Sequence, residues 1–299
     1  MSDTFYVDAG VLLKEVKLAR EFIGSRVPKP VLQCVKLAVG AGQAQITATD
    51  LEVTLTRSFE VLSRNWHRLV CDRCGQMLDM LQKPPILCAV AGCTGTMREG
   101  QSSDFLALVP ADHLANIAKE CPAALEVESG TLKEEPCVVI RHAQKTRATK
   151  NVPAGIMSSE FRLYTQPLEA FPPAVEVKAE FAVITVGMRD LAKLLRWGLP
   201  ALDKSSRWGL VFRQDKGGIT VGATNGRVLS IFGGTKAENA RAATKAIVVN
   251  WKIADRLLDV LEREIKTNPA ADKVEIRFEE EKDAFCVQGD RWRVTACCA

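Results

Sequence analysis

Residues 46–55, ITATDLEVTL, and residues 219–231, ITVGATNGRVLSI, read as one device written twice. In each, β-branched and apolar residues flank a short turn, the pattern of a strand, a turn and a second strand. The turn is Ala-Thr followed by an acid, Asp50, or an amide, Asn225. Aligning Thr49 with Thr224 sets an offset of 175 residues.

The surroundings repeat as well. Residues 9–24, AGVLLKEVKLAREFIG, place Leu12, Leu13, Val16, Leu18 and Phe22 at roughly helical spacing, with Lys14, Lys17 and Arg20 largely on another face. Residues 186–203, VGMRDLAKLLRWGLPALD, do the same with Leu191, Leu194 and Leu195 against Arg189, Lys193 and Arg196. Strand-like sequence about glycine turns follows in both places, over 31–61 and 208–234. A second helix then follows directly on a strand: ADHLANIAKEC (111–121) after FLALVP, and NWKIADRLLDVLEREI (250–265) after KAIVV. Aligning Pro110 with Asn250 gives an offset of 140, so the first half holds 35 extra residues between about 62 and 104. The repeat is strand, helix, strands, helix, strands, with an insertion in the first copy only. Each half closes on strand-like sequence, PCVVIRHA, KTRATKNVPA and EFRLYT in the first and a strand pair over 273–296 in the second. Proline-rich LEAFPPAVEVKAEF (168–181) marks the boundary. The expected domains are therefore 1–175, with an insertion at about 64–100, and 176–299. The expected class is α+β, two tandem domains each with two helices packed on antiparallel sheets.

The insertion contains CDRCGQMLDMLQKPPILCAVAGC (71–93). Its spacing is Cys71-x2-Cys74, thirteen residues, then Cys88-x4-Cys93. Four thiolates in two close pairs suit a tetrahedral structural Zn²⁺, which would supply folding free energy to a piece too short to hold its own core. Four unrelated reduced thiols, or a redox pair at Cys71 and Cys74, are the other readings. His67 is close enough to replace one cysteine. Cys34, Cys121, Cys137 and Cys286 read as small buried apolar residues.

Composition narrows the function. The 299 residues suit about two domains, and the formal net charge of +4 does not by itself mark a nucleic-acid binder. MSDTFYVDAG lacks the basic and apolar regions of a signal peptide, and no run of about 18 apolar residues occurs. A cytoplasmic location with reduced thiols is expected. His67, His113 and His142 are scattered, and no HExxH, GxSxG, P-loop or GxGxxG in its strand-helix context occurs. The HxE and PCxxC pairing of zinc deaminases is also missing. The chain does not read as an enzyme.

SRVPKPVL (25–32), TATDLEV (47–53), LEAFPPAV (168–175), WGLVF (208–212) and VGATNGRVL (221–229) together resemble the bacterial DNA sliding clamp, the beta subunit of DNA polymerase III. The resemblance covers both halves and not the insertion. It implies tandem clamp domains with helices facing inward and sheets outward, closed into a ring around duplex DNA that tethers a polymerase. Inner cations would attract phosphates without reading bases, so that the ring slides. On that reading Lys14, Lys17, Arg20, Arg26, Arg189, Lys193, Arg196, Lys252 and Arg256 contact DNA. Trp208, Leu210, Thr224, Gly226, Arg227 and Leu229 line the surface that takes partner peptides. The partners implied are duplex DNA, a DNA polymerase and a clamp loader.

Three departures accompany it. Family chains usually have three domains and this one stops after two, so six domains per ring would require a trimer; the alternative is a truncated or degenerate relative of the family. The family writes Asp-Gly-His-Arg where this chain has Asn225, Gly226, Arg227 and Val228. Asp112 and His113 stand where the family has basic residues. The second reading is a clamp-like interaction protein that does not encircle DNA and whose zinc module binds a replication or transcription partner.

Overall fold

A computed structural model describes residues 4–24, 29–40, 43–62, 67–71, 77–80, 86–87, 94, 96–99, 105–121, 124–146, 155–173, 177, 183–202, 209–215, 218–225, 229–236, 246–279 and 283–297. The first half runs β1 (Thr4–Asp8), α1 (Ala9–Arg20), β2 (Cys34–Gly40), β3 (Gln43–Thr49) and β4 (Val53–Glu60). The insertion adds β5 (His67–Cys71), β6 (Met77–Met80), β7 (Ile86–Leu87) and β8 (Thr96–Glu99). The half resumes with β9 (Phe105–Pro110), α2 (Ala111–Glu120), β10 (Ala124–Leu132), β11 (Glu135–Thr146) and β12 (Gly155–Tyr164). The second half runs β13 (Val183–Gly187), α3 (Met188–Gly198), β14 (Gly209–Asp215), β15 (Gly218–Thr224) and β16 (Leu229–Lys236). It ends with β17 (Ile247–Asn250), α4 (Trp251–Thr267), β18 (Lys273–Glu279), β19 (Ala284–Gln288) and β20 (Trp292–Cys297). With β5–β8 set aside, one strand-helix-three-strand unit occurs four times.

In all four units the helix starts on the residue after the strand. Two of these junctions carry a side-chain cap that satisfies an orphan backbone donor of the first turn. The Val11 N–H donates to Asp8 Oδ1 at 2.9 Å, and the Lys252 N–H donates to Asn250 Oδ1 at 2.9 Å. Residues 273–296, expected as a strand pair, form the three strands β18, β19 and β20. The cause is a second reversal at Gly289, whose N–H donates to the Trp292 carbonyl at 3.0 Å. The Trp292 indole closes over that turn so tightly that a Cβ on Gly289 would fall 2.4 Å from Nε1.

The chain forms two compact units that interleave along the sequence. The first comprises Met1–Lys17, Cys34–Ile46 and Ser58–Leu168. It holds the sheet β1-β10-β11-β12, the antiparallel pair β2-β9 and the insertion sheet β6-β5-β8-β7. Its core includes Val7, Leu12, Val16, Leu108, Leu114, Leu125 and Ile140, with Phe5 edge-on to Phe105 at 5.0 Å. The second unit comprises Leu18–Gln33, Thr47–Arg57 and Glu169–Ala299. It holds the sheet β16-β15-β14-β17 and the run β13-β18-β19-β20, which β20 extends onto β4 in the register Trp292↔Arg57 to Ala296↔Val53. Leu191, Leu195, Leu257 and Leu261 are buried on one side of α3 and α4, and Phe212 and Phe285 of its sheets are buried with ring centroids 5.6 Å apart. Cys34, Cys121, Cys137 and Cys286 are buried, as expected, and burial raises the Cys34 thiol pKa to about 11. A thiol so disfavoured as thiolate is packing, not chemistry.

Candidate functional site

The cations expected to meet DNA divide by environment. On α1, Lys14, Lys17 and Arg20 are exposed at i, i+3 and i+6 while Leu12, Val16 and Ala19 are buried. The apolar ridge goes to the core, and this leaves the basic stripe in solvent. Arg189 and Lys193 are exposed on α3 in the same way. Among the described residues Lys14, Lys17 and Arg189 have no ion-pair partner. Lys252 is exposed at the start of α4. Arg196 is held by Glu262 at 2.7 Å. Arg26 lies outside the described residues.

Arg256 is placed differently from the expectation. Its guanidinium donates to Asp50 Oδ2 at 2.5 Å and lies 5.6 Å from the Phe22 ring centroid. It is thereby committed to the turn of TATDLEV. In that turn the N–H groups of Glu52 and Val53 donate to Asp50 Oδ1 at 3.1 and 3.0 Å. The Thr49 hydroxyl donates to the Val53 carbonyl at 3.1 Å and accepts from the Leu51 N–H at 3.1 Å. Cys297 N–H donates to the Glu52 carbonyl at 3.1 Å. Asp50 and Glu52 thus serve the turn, and Asp50 locks it to α4. The exposed side of α4 is acidic at Asp255 and Asp259. Partial burial, with Asp255 and Glu21 adjacent, raises the Asp259 carboxyl pKa.

The residues expected to take peptides are only partly brought together. Thr224 of β15 faces Leu229 of β16 across the strand pair. Leu210 is fully buried, because the end of α3 rests on it: a Cβ on Gly198 would stand 2.7 Å from its Cδ2. It is core, not pocket lining. Trp208, Gly226 and Arg227 lie outside the described residues.

Residues 4–176, more than half of the chain, match the family described as DNA polymerase III beta subunit, N-terminal domain. The chain belongs to the DNA polymerase III beta-subunit family. Solved structures agree on the fold. The DnaN sliding clamp of Pseudomonas aeruginosa, solved bound to griselimycin, superposes with a TM-score of 0.68 at 18% identity, over 99% of this chain and 64% of that one. The Bacillus subtilis DNA polymerase sliding clamp gives 0.69 at 15% identity with the same coverages. The Helicobacter pylori beta clamp, solved with a DNA ligase peptide, gives 0.68 at 10% over 99% of this chain and 66% of that one. No curated protein matches. The chain thus spans 64% of the length of the first two clamps.

Within this beta-subunit fold the insertion is a small antiparallel sheet. Cys71 pairs with Met97, and Met97 pairs on its other side with Ile86. Since β5 and β7 both run antiparallel to β8, they are parallel to one another. Their C-terminal ends therefore lie at one end of the sheet. Cys74, Cys88, Cys93 and the Cys71 side chain lie outside the described residues, and among the described residues no group of three or more His, Cys, Asp or Glu could hold a metal. No helix among the described residues is long and apolar enough to cross a membrane.

Two features escaped the sequence reading. Trp197 stands 49% exposed on α3 with the Lys193 ammonium 4.5 Å from its ring centroid. Its position four residues after Lys193, on the polar face, was the available signal. Arg57 and Glu264 form a buried ion pair at 2.5 Å, and no local pattern marks two residues 207 apart as partners.

Proposed function

We propose that the chain is a DNA sliding clamp. Copies assemble into a ring that encircles duplex DNA, slides on the basic faces of α1 and α3, and tethers a DNA polymerase delivered by a clamp loader. The protein acts in the cytoplasm and catalyses no reaction. The observation that carries this reading is the four-fold strand-helix-three-strand repeat, whose first helix in each half turns cations to solvent. Exposed cations such as Lys14, Lys17 and Arg189, without an ion-pair partner among the described residues, attract phosphates at any sequence, which is what sliding needs. The outer edges of β12 and β16 support assembly. Neither has a further strand beside it among the described residues. β12 is ten residues long and contains no lysine or proline, the devices that normally blunt an edge. If two domains are the whole chain, three copies joined edge to edge would supply six. Native mass spectrometry should find three chain masses, and a monomer at micromolar concentration would contradict the ring.

Cys71, Cys74, Cys88 and Cys93 are proposed to hold one structural Zn²⁺, which would staple the small sheet. Elemental analysis should find one zinc per chain, lost in Cys93→Ala; purified protein without zinc would end this part of the reading. The carboxylates of α4 favour a second reading, a clamp-like interaction protein that does not encircle DNA, because Asp255 and Asp259 repel phosphate. A monomer that binds a replication or transcription partner through the insertion would establish it.

A further inference from the structure

The outer stripe of α4 is Lys252, Asp255, Asp259, Glu262 and Lys266, at i, i+3, i+7, i+10 and i+14. Its middle is acidic. The two arginines of the helix do not offset it, because each is engaged by a carboxylate from another segment: Arg256 by Asp50 at 2.5 Å, and Arg263 by Glu21. Asp255 and Asp259 are exposed one turn apart and make no ion pair among the described residues. Glu262 pairs with Arg196 of α3 at 2.7 Å. That surface pair sets the acidic stripe beside the basic one, in which Arg189 and Lys193 are exposed. The first half divides its charge in the same way. Its first helix exposes Lys14 and Lys17, whereas α2 exposes Asp112 and Glu120 against one lysine, Lys119.

A phosphate at the second unit therefore meets attraction along α3 and repulsion along the middle of α4. We propose that duplex DNA is gripped by one helix per half, α1 and α3, and that Asp255 and Asp259 hold α4 off the phosphates and so loosen the grip. Fewer phosphates are then neutralised than if every helix supplied cations, which makes the hold weaker and less steep in salt. A looser hold favours movement along DNA over residence at one place. This deepens the clamp reading and rests on it. It gives a role within that reading to carboxylates that otherwise count against encirclement.

The test is fluorescence anisotropy of the whole chain with a labelled blunt duplex across a salt series. Asp255→Asn with Asp259→Asn should tighten binding roughly 2- to 5-fold at low salt, an advantage that shrinks as salt rises. Asp255→Lys with Asp259→Lys should add two phosphate contacts and steepen the slope of log affinity against log salt by up to about 1.8. Glu134→Gln with Glu135→Gln removes two exposed charges from the turn between β10 and β11 and should change affinity less than about 1.5-fold. An equal gain in that control would reduce the effect to net charge and overturn the proposal. Weaker binding by the asparagine pair would overturn it too, as would silence of both α4 pairs while Lys17→Ala weakens binding; the clamp reading survives either result. Should wild type not bind, or Lys17→Ala and Arg189→Ala also be silent, the DNA reading itself falls. The substituted residues are all exposed, so matching thermal midpoints should show that the variants fold.

Discussion

The ion pair between Arg57 and Glu264 should be costly to break and cheap to replace. Arg57 Nη1 lies 2.5 Å from Glu264 Oε1, and the two side chains are 5% and 6% exposed. Arg57 sits on β4 opposite Trp292 of β20, and Glu264 sits on the buried side of α4. Together with the Asp50 lock they fasten residues 47–57 inside the second compact unit. Removing one partner leaves the other's charge buried without this 2.5 Å ion pair, which costs about 3–5 kcal/mol. Arg57→Met and Glu264→Leu should therefore each lower the thermal midpoint by roughly 6–20 °C, at about 2–4 °C per kcal/mol for a domain of this size. Arg57→Met combined with Glu264→Leu replaces both charges by apolar groups of similar volume. It should recover most of the loss, because the attraction of a buried pair roughly balances the cost of desolvating it. Urea titration of the four proteins gives the coupling energy directly. Single variants within about 1 kcal/mol of wild type, or a double variant as unstable as the two singles summed, would refute the reasoning.

Three further outcomes follow from the geometry. Lys17→Ala and Arg189→Ala should each reduce the slope of log affinity for duplex DNA against log salt by about 0.9, while Arg256→Gln, which breaks the tie to Asp50, should lower stability and leave that slope unchanged. Leu51 holds φ at 82° in the turn and is 56% exposed, so Leu51→Gly should stabilise by about 0.5 kcal/mol in urea titration as relief of the left-handed strain outweighs the added chain entropy; a loss above about 1 kcal/mol would oppose this. Asp259→Asn should stabilise by a few tenths of a kcal/mol at neutral pH by removing a like charge one turn from Asp255. With its pKa raised in the folded protein, the ionised Asp259 is a penalty above that pKa that fades as pH falls through it, so the advantage of asparagine should shrink in acid.

Much of the fold was legible because it repeats. A ridge such as Leu191, Leu194 and Leu195 beside Arg189 and Lys193 has one low-energy placement, and meeting it twice with matching strand-turn-strand sequence fixed the order of elements. The third strand near the C-terminus was not, because Gly289 and Trp292 make a turn whose closure depends on the indole folding back. The roles of single residues were harder still. Arg256 and Lys193 look alike on their helices, yet one meets Asp50, 206 residues away, and the other meets solvent and Trp197. Leu210 reads as a pocket residue by family pattern and is core because Gly198 lets α3 settle on it. Charge and period are local properties. Which cation finds a carboxylate is decided by tertiary packing.

The claim that the protein holds DNA by encircling it can be tested without a loader. A ring can thread onto linear duplex from its ends. The protein is equilibrated with linear DNA at low salt, the ends are then blocked by bound streptavidin, and release is followed after a jump to high salt. The account predicts retention on blocked DNA and rapid loss once a restriction enzyme frees an end. Release at the same rate from blocked and open DNA would contradict it.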